Sequence, residues 1–281
     1  MDCSRRRFKF IKLVNGYCAF KLRSNAPIIL NSVPKPSAIP AFSIEEDPFF
    51  AQDLLQMARA HNYRRWQFRL IAPYVHGQVL EVGGGIGNFT ADLAAAAQAV
   101  VSLEPNAACH AQLTERTRTL SNVTVFNTSA EELERHVAPG YQADTVVCMN
   151  VLEHIQDDEA AVRTFSRQLK VGGKLVLLIP AAPWAFGDID RRLGHYRRYS
   201  KASARLLMQK TSLTVVALRY FNFIGLWGWL WNTRVTRRQS QSDGQILVFD
   251  RFIVPWLSRL EGLLPPPVGQ SLLVVGRKDN P

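Results

Sequence analysis

Cysteine is scarce in this sequence and scattered. Only Cys3, Cys18, Cys109 and Cys148 occur, and no two form a C-x-x-C pair. Four widely spaced thiols make neither a disulfide framework nor a zinc-ligand pattern, so no metal site is expected and a reducing, cytoplasmic setting is. Long apolar runs are missing too. A bilayer span needs about 18–20 such residues, and the nearest stretch, 213–231, is broken by Arg219. Acids are nearly absent from the N-terminal end, where residues 1–40 carry eight basic side chains and Asp2 alone. That composition resembles a transit peptide more than a secretory signal, with a disordered basic tail as the plainer alternative. No internal repeat is visible.

What is present is globular. The 281 residues are 47% hydrophobic and 20% charged, with a net charge of +11. The charge is uneven: 1–40 sum to +7, 41–180 to −5 and 181–281 to +9. An acidic middle excludes a uniformly basic nucleic-acid coat. A local anionic partner, such as a membrane surface or a phosphate-bearing substrate, stays open.

Five prolines between 27 and 48 mark a linker. From Phe49 apolar residues recur at helical spacing up to Pro73, predicting a helix over 49–75. Short apolar runs then alternate with helical segments. Strands are predicted at 78–82, 99–103, 123–126, 145–149, 174–179, 213–218 and 271–276. Helices are predicted at 88–97, 106–119, 130–136, 157–169 (ended by Gly172-Gly173) and 203–210. Nearly continuous apolar strands separated by helices predict an α/β fold with a largely parallel sheet covered on both faces. Residues 221–270 form a Trp- and Phe-rich insertion before the final strand.

The sharpest local signal is Glu81-Val-Gly83-Gly84-Gly85-Ile86-Gly87, at the end of one strand and the opening of a helix. Glycines there permit positive φ and close approach of a ligand to the backbone. The dinucleotide spacing G-x-G-x-x-G fails, because Asn88 and Thr90 stand where its last glycine would fall. A carboxylate two residues before the first glycine suits a cofactor with an ammonium group better than a pyrophosphate. Glu104 closes the second strand, where an acid accepts hydrogen bonds from two ribose hydroxyls.

These residues resemble the class I S-adenosylmethionine-dependent methyltransferases. The likeness covers 79–87, Leu103-Glu104-Pro105, Ser129-Ala130-Glu131, the run from Asp144 to Ile155 that ends in Val-Leu-Glu-His-Ile, and the Gly172-Gly173-Lys174 turn. It implies a Rossmann-like, doubly wound, seven-stranded, mostly parallel sheet whose last strand is antiparallel, with the hydrophobic insertion between strands six and seven. The methyltransferase domain would span 49–281, after a basic tail over 1–48. S-adenosylmethionine would be the cofactor. Glu81 and Gly83, Gly85 and Gly87 would hold its methionyl end, and Glu104 with Pro105 the ribose. Ser129 and Ala130 would flank the adenine, although many members have Asp where Ser129 stands. Asn150 would lie beside the sulfonium. Tyr63 or Arg64 of an N-terminal lid helix would reach the cofactor, with Trp66 in the core.

The turn after strand four reads Asn150-Val-Leu-Glu153, without the prolines and aromatic ring that hold a flipped base. The Pro-Cys nucleophile motif of RNA cytosine-5 enzymes is also missing at Cys148-Met149, so nucleic acid is discounted. The loop after strand five gathers Asp190, His195, Tyr196, Arg197, Arg198 and Tyr199 above the cofactor crevice. Transfer to oxygen or nitrogen needs a deprotonated acceptor in line with the sulfonium. His195 is the first candidate base, since imidazole titrates near neutrality. Asp190 would orient it, Arg198 would hold an anionic group of the substrate, Tyr199 completes the cluster and His154 is the second candidate. The acceptor is expected to be a small, apolar or lipid-linked molecule methylated on oxygen. The segment 220–238 combines three Trp with Arg234, Arg237 and Arg238, which suits a membrane interface, an apolar cap or extra core. A nicotinamide-dependent oxidoreductase and an inactive cofactor-binding adaptor at a membrane are the alternatives.

Overall fold

The computed structural model describes residues 48–235 and 243–279. The expected basic tail, and Arg237 and Arg238, lie outside the described residues.

Seven strands form one sheet: β1 (Gln78–Val82), β2 (Ala99–Leu103), β3 (Val123–Phe126), β4 (Ala143–Met149), β5 (Leu169–Pro180), β6 (Leu213–Phe221) and β7 (Ser271–Lys278). Their order is β3-β2-β1-β4-β5-β7-β6. The first five pair in parallel, and β7 runs antiparallel between β5 and β6. Alternation explains why the central strands are apolar throughout. Leu80, Val146, Leu175 and Leu177 pack into one buried face, against Phe165 and Met208. Their neighbours Val79, Val147, Val176 and Leu178 pack into the other, against Trp66, Ile71 and Leu93. Both faces must therefore be apolar, as in a sheet sandwiched between helices.

The helices are α1 (Pro48–Arg59), α2 (His61–Ile71), α3 (Thr90–Ala96), α4 (Ala107–Thr117), α5 (Asp158–Arg167), α6 (Asp188–Arg192), α7 (Lys201–Lys210), α8 (Phe223–Leu230), α9 (Asp243–Val248) and α10 (Val254–Leu263). Asn106 and Asp157 cap α4 and α5 by accepting from the backbone N–H of Cys109 and Ala160, the usual role of short polar side chains at that position.

Three expectations are corrected. The helix over 49–75 is two helices, parted at the fully buried Ala60. The α-helix expected over 130–136 is a 3-10 element, Ala130–Arg135. Gly172 and Gly173 lie inside β5 rather than ending a helix before it. The strand begins at Leu169, opposite Ala143, and its register jumps so that Lys174 meets Thr145. Gly172, at φ +79°, makes the bend that this jump requires.

The described part of the insertion is mostly helical, and α8 and α10 each dock on the domain by an inner face. Leu226, Trp229 and Leu230 of α8 pack on Ala182, Ala185 and Ile189. Val254 and Leu257 of α10 join the core beside Trp66. One π-helical turn, Phe249–Ile253, links α9 to α10. No described helix is long and apolar enough to cross a membrane.

Candidate active site

The strand order reverses between β1 and β4, and ligands of doubly wound sheets bind beyond the carboxyl ends of the strands at that point. A cavity of about 1760 Å³ lies there, lined by Gly83, Gly84, Gly85 and Glu104 at one end and by Glu153, His154 and His195 at the other. Ile224, Trp227, Trp231, Ile246, Phe249 and Ile253 of the insertion form its apolar wall.

The glycine loop is shaped by what lies under it. Gly83 and Gly85 have φ of +75° and +57°. A Cβ on Gly83 would collide with Val151, and one on Gly84 with Ser102. Glu104 spans the loop and the next helix: Oε2 accepts from the N–H of Gly85 at 2.7 Å and Oε1 from that of Asn106 at 2.8 Å. Burial raises its pKa, and the two N–H donors oppose that rise. Two acceptor positions of the carboxylate stay available for ribose hydroxyls.

Glu81 does not form part of the cavity wall, which corrects its expected contact with an ammonium group. It is buried beneath the loop, and its Oε2 accepts from Ser102 Oγ at 2.6 Å and Thr90 Oγ1 at 2.7 Å. Burial pushes its pKa up, against those two hydrogen bonds. Gly87, at φ +83°, also lies outside the wall and carries the chain towards α3. Pro105, Ser129, Ala130 and Asn150 do line the cavity. Asn150 leaves β4 in the left-handed region, at φ +53°, which Asn tolerates better than most residues.

Sequence reasoning missed Asn106 and Thr128. Both are buried in the cavity wall, and Asn106 Nδ2 and Thr128 Oγ1 have no hydrogen-bond partner among the described residues. Unsatisfied buried polar atoms are costly, so these two point to a polar ligand. Together with Glu104 and the glycine cradle they fit the ribose and adenine of S-adenosylmethionine. Their signal in the sequence was only their place after a strand end.

Tyr63 lines the cavity, and the insertion holds it there. Its backbone N–H donates to Asp250 Oδ1 at 2.8 Å, and its phenol oxygen accepts from Asn222 Nδ2 at 3.3 Å. Arg64 is not part of the cavity wall, and Trp66 is core. Asn222 is set by Glu261, whose carboxylate oxygens accept from the N–H groups of Asn222 and Phe223, each at 2.9 Å. Asp250, Asn222 and Glu261 lie some 160–200 residues from Tyr63, so no local pattern could join them.

At the far end Asp190 is fully buried. Its Oδ1 accepts from His195 Nδ1 at 2.9 Å and Arg198 Nε at 2.8 Å, and its Oδ2 from the N–H of Gly187 at 2.9 Å. These three donors outweigh its burial and hold its pKa below the carboxylate range. The Asp190–His195 pairing predicted from sequence is present. Arg198 is committed elsewhere than to an anionic substrate group: it also donates to the Ala181 carbonyl at 3.2 Å and stacks 4.3 Å from the Trp229 ring. Tyr199 turns away from the cavity and donates to Asp158 Oδ2 at 2.8 Å, so it leaves the cluster. His154 lies edge-to-face against His195, ring centroids 4.7 Å apart. Burial and its histidine neighbour hold its pKa down at about 3, too weak a base for the second-candidate role. Glu153, missed from sequence, is 1% exposed, and burial lifts its pKa to about 7.

Residues 51–220, more than half of the chain, match the family model described as a methyltransferase domain. An uncharacterized methyltransferase of Bacillus velezensis is 35% identical over 100 residues, covering 35% of this chain and 45% of that protein, so the likeness spans less than half of the relative. The fold is shared with the YcgJ protein of Bacillus subtilis (16% identity, TM-score 0.51, covering 74% of this chain and 94% of that one). It is also shared with a chain from the Haloferax volcanii complex of the Trm112 methyltransferase activator with a methyltransferase (15% identity, TM-score 0.55, covering 83% and 99%).

Proposed function

This chain belongs to the methyltransferase-domain family, and on that premise we propose that it transfers the methyl group of S-adenosylmethionine to an oxygen of a small, apolar or lipid-linked acceptor. One observation carries the reading: a single cavity joins the glycine loop and Glu104 to His195 and Glu153, and apolar side chains of the insertion line it. Bound S-adenosylmethionine supplies an electrophilic methyl on a sulfonium. The chain's part is to hold the ribose at Glu104, line the cavity with the apolar side chains of the insertion, and make the acceptor oxygen nucleophilic at the Glu153 and His195 end. The acceptor oxygen would take that methyl, and its proton would leave at the His195 end of the cavity.

The outer face of the insertion supports a lipid-linked acceptor. Val248, Phe252, Trp256, Leu260 and Leu264 recur every fourth residue and are all more than half exposed. Arg251 and Arg259 lie 5.6 and 5.7 Å from the Phe252 and Trp256 rings. An apolar ridge edged by arginines suits the boundary of an anionic lipid surface. This ridge on 248–264 adds to the expected contact through 220–238, where Trp227 and Trp231 are exposed while Leu226, Trp229 and Leu230 are buried.

The test is methyl-labelled S-adenosylmethionine incubated with the protein and a cell extract, followed by solvent partition. Label is expected in the organic phase on an oxygen atom, and much less of it with the Glu104→Ala variant at the same cofactor concentration. Label only in protein or nucleic acid would sink the reading.

A further inference from the structure

We propose that Glu153, His154 and His195 form a binding site for a divalent cation of the zinc class, open towards the acceptor end of the cavity. One ligand atom from each of the three lies within 4.8 Å of the others. Ligands at about 2.0–2.2 Å from a tetrahedral ion stand roughly 3.4 Å apart. Modest side-chain rotation therefore closes the site.

The second observation is Glu153 itself. The residue is 1% exposed, it borders the cavity, and its Oε2 has no hydrogen-bond partner among the described residues. A buried carboxylate oxygen with nothing to bind is costly, and a cation is the ligand that satisfies it most completely.

The two imidazoles are prepared in the same way. His195 engages Asp190 through Nδ1, which leaves Nε2 as the ligand atom. His154 is hydrogen-bonded to the Leu193 backbone through its ring and offers one ligand atom to the cluster. A carboxylate or carbonyl behind each histidine is what fixes the tautomer and the ring at metal sites. Asp190 is immobilised in turn by Gly187 and Arg198. Two histidines and one carboxylate are also the donor set of catalytic zinc sites, which keep a fourth position open for water or substrate.

Charge favours an oxygen ligand in that position. Glu153 and Asp190 carry two negative charges against one on Arg198, so a dication leaves the cluster net positive. An acceptor hydroxyl there loses its proton to solvent water, and its oxygen lone pair then takes the methyl. His195 acts as a ligand in this arrangement, and the proton passes to water.

The inference rests on the cavity's His195 end being the acceptor site, but its test does not need methyl transfer. Untagged, full-length, chelator-treated protein is titrated with Co²⁺, followed by its visible d–d absorption, and then with Zn²⁺ as competitor. One equivalent of Co²⁺ per chain is expected, displaced by Zn²⁺. Asp190→Asn should weaken binding by roughly 10–100-fold, and Glu153→Gln and His154→Gln by at least as much, with circular dichroism unchanged. No stoichiometric binding by the unaltered protein would overturn the site, as would binding that Glu153→Gln, His154→Gln and His195→Gln all leave intact. Full methylation by chelated protein that binds no Co²⁺ removes the cation and leaves the acceptor reading standing. Stoichiometric binding without any methylated product keeps the site and removes that reading.

Discussion

Glu104 braces the glycine loop through Gly85, whose backbone N–H donates to Glu104 Oε2 at 2.7 Å. The other carboxylate oxygen is tied to Asn106, so the side chain cannot swing away when the cavity is empty. A charge-assisted hydrogen bond contributes about 1.5–3 kcal/mol. Glu104→Ala should therefore weaken S-adenosylmethionine binding by roughly ten- to 150-fold in calorimetry. An unchanged Kd would remove Glu104 from the cofactor site.

Glu81 predicts a pH-dependent gain in stability. Burial raises its folded pKa, so its charged form is disfavoured on folding. That cost is present above the folded pKa and vanishes below the unfolded value of about 4.3. Glu81→Gln keeps an oxygen that can accept from Thr90 and Ser102. Its Tm should exceed that of the unaltered protein at pH 8, and the difference should shrink to nothing as the pH falls towards 4. A lower Tm at pH 8 would show that the charge itself holds the loop.

Tyr199 separates packing from chemistry. Its hydroxyl serves Asp158 at the start of α5 and does not face the cavity. Tyr199→Phe should cost about 0.5–1.5 kcal/mol in urea unfolding and leave kcat unchanged. A large fall in kcat with intact stability would return it to the active site.

The ridge on α9 and α10 should drive membrane association. Trp256→Asp combined with Leu260→Asp alters two side chains that are 72% and 58% exposed. Co-flotation with anionic vesicles should be lost while Tm shifts little. Flotation that persists would place the contact elsewhere.

The sequence by itself determined the parts of this protein that depend on neighbours in the chain. Strand alternation, the glycine loop, Glu104 at a strand end and the five-residue step from Asp190 to His195 all act over short spacing, where pattern and geometry coincide. Strands β1, β2 and β3 run over the residues that their apolar runs predict. Only the tertiary structure decided which polar groups were buried together. Glu81 reads as a ligand until Ser102, 21 residues on, is seen beneath it. Tyr199 reads as catalytic until its hydroxyl is found on Asp158. Glu153 reads as a motif residue until its oxygen is found buried beside two imidazoles. Each of those roles depends on desolvation and on partners brought by other elements, and neither is encoded in the spacing of a single segment.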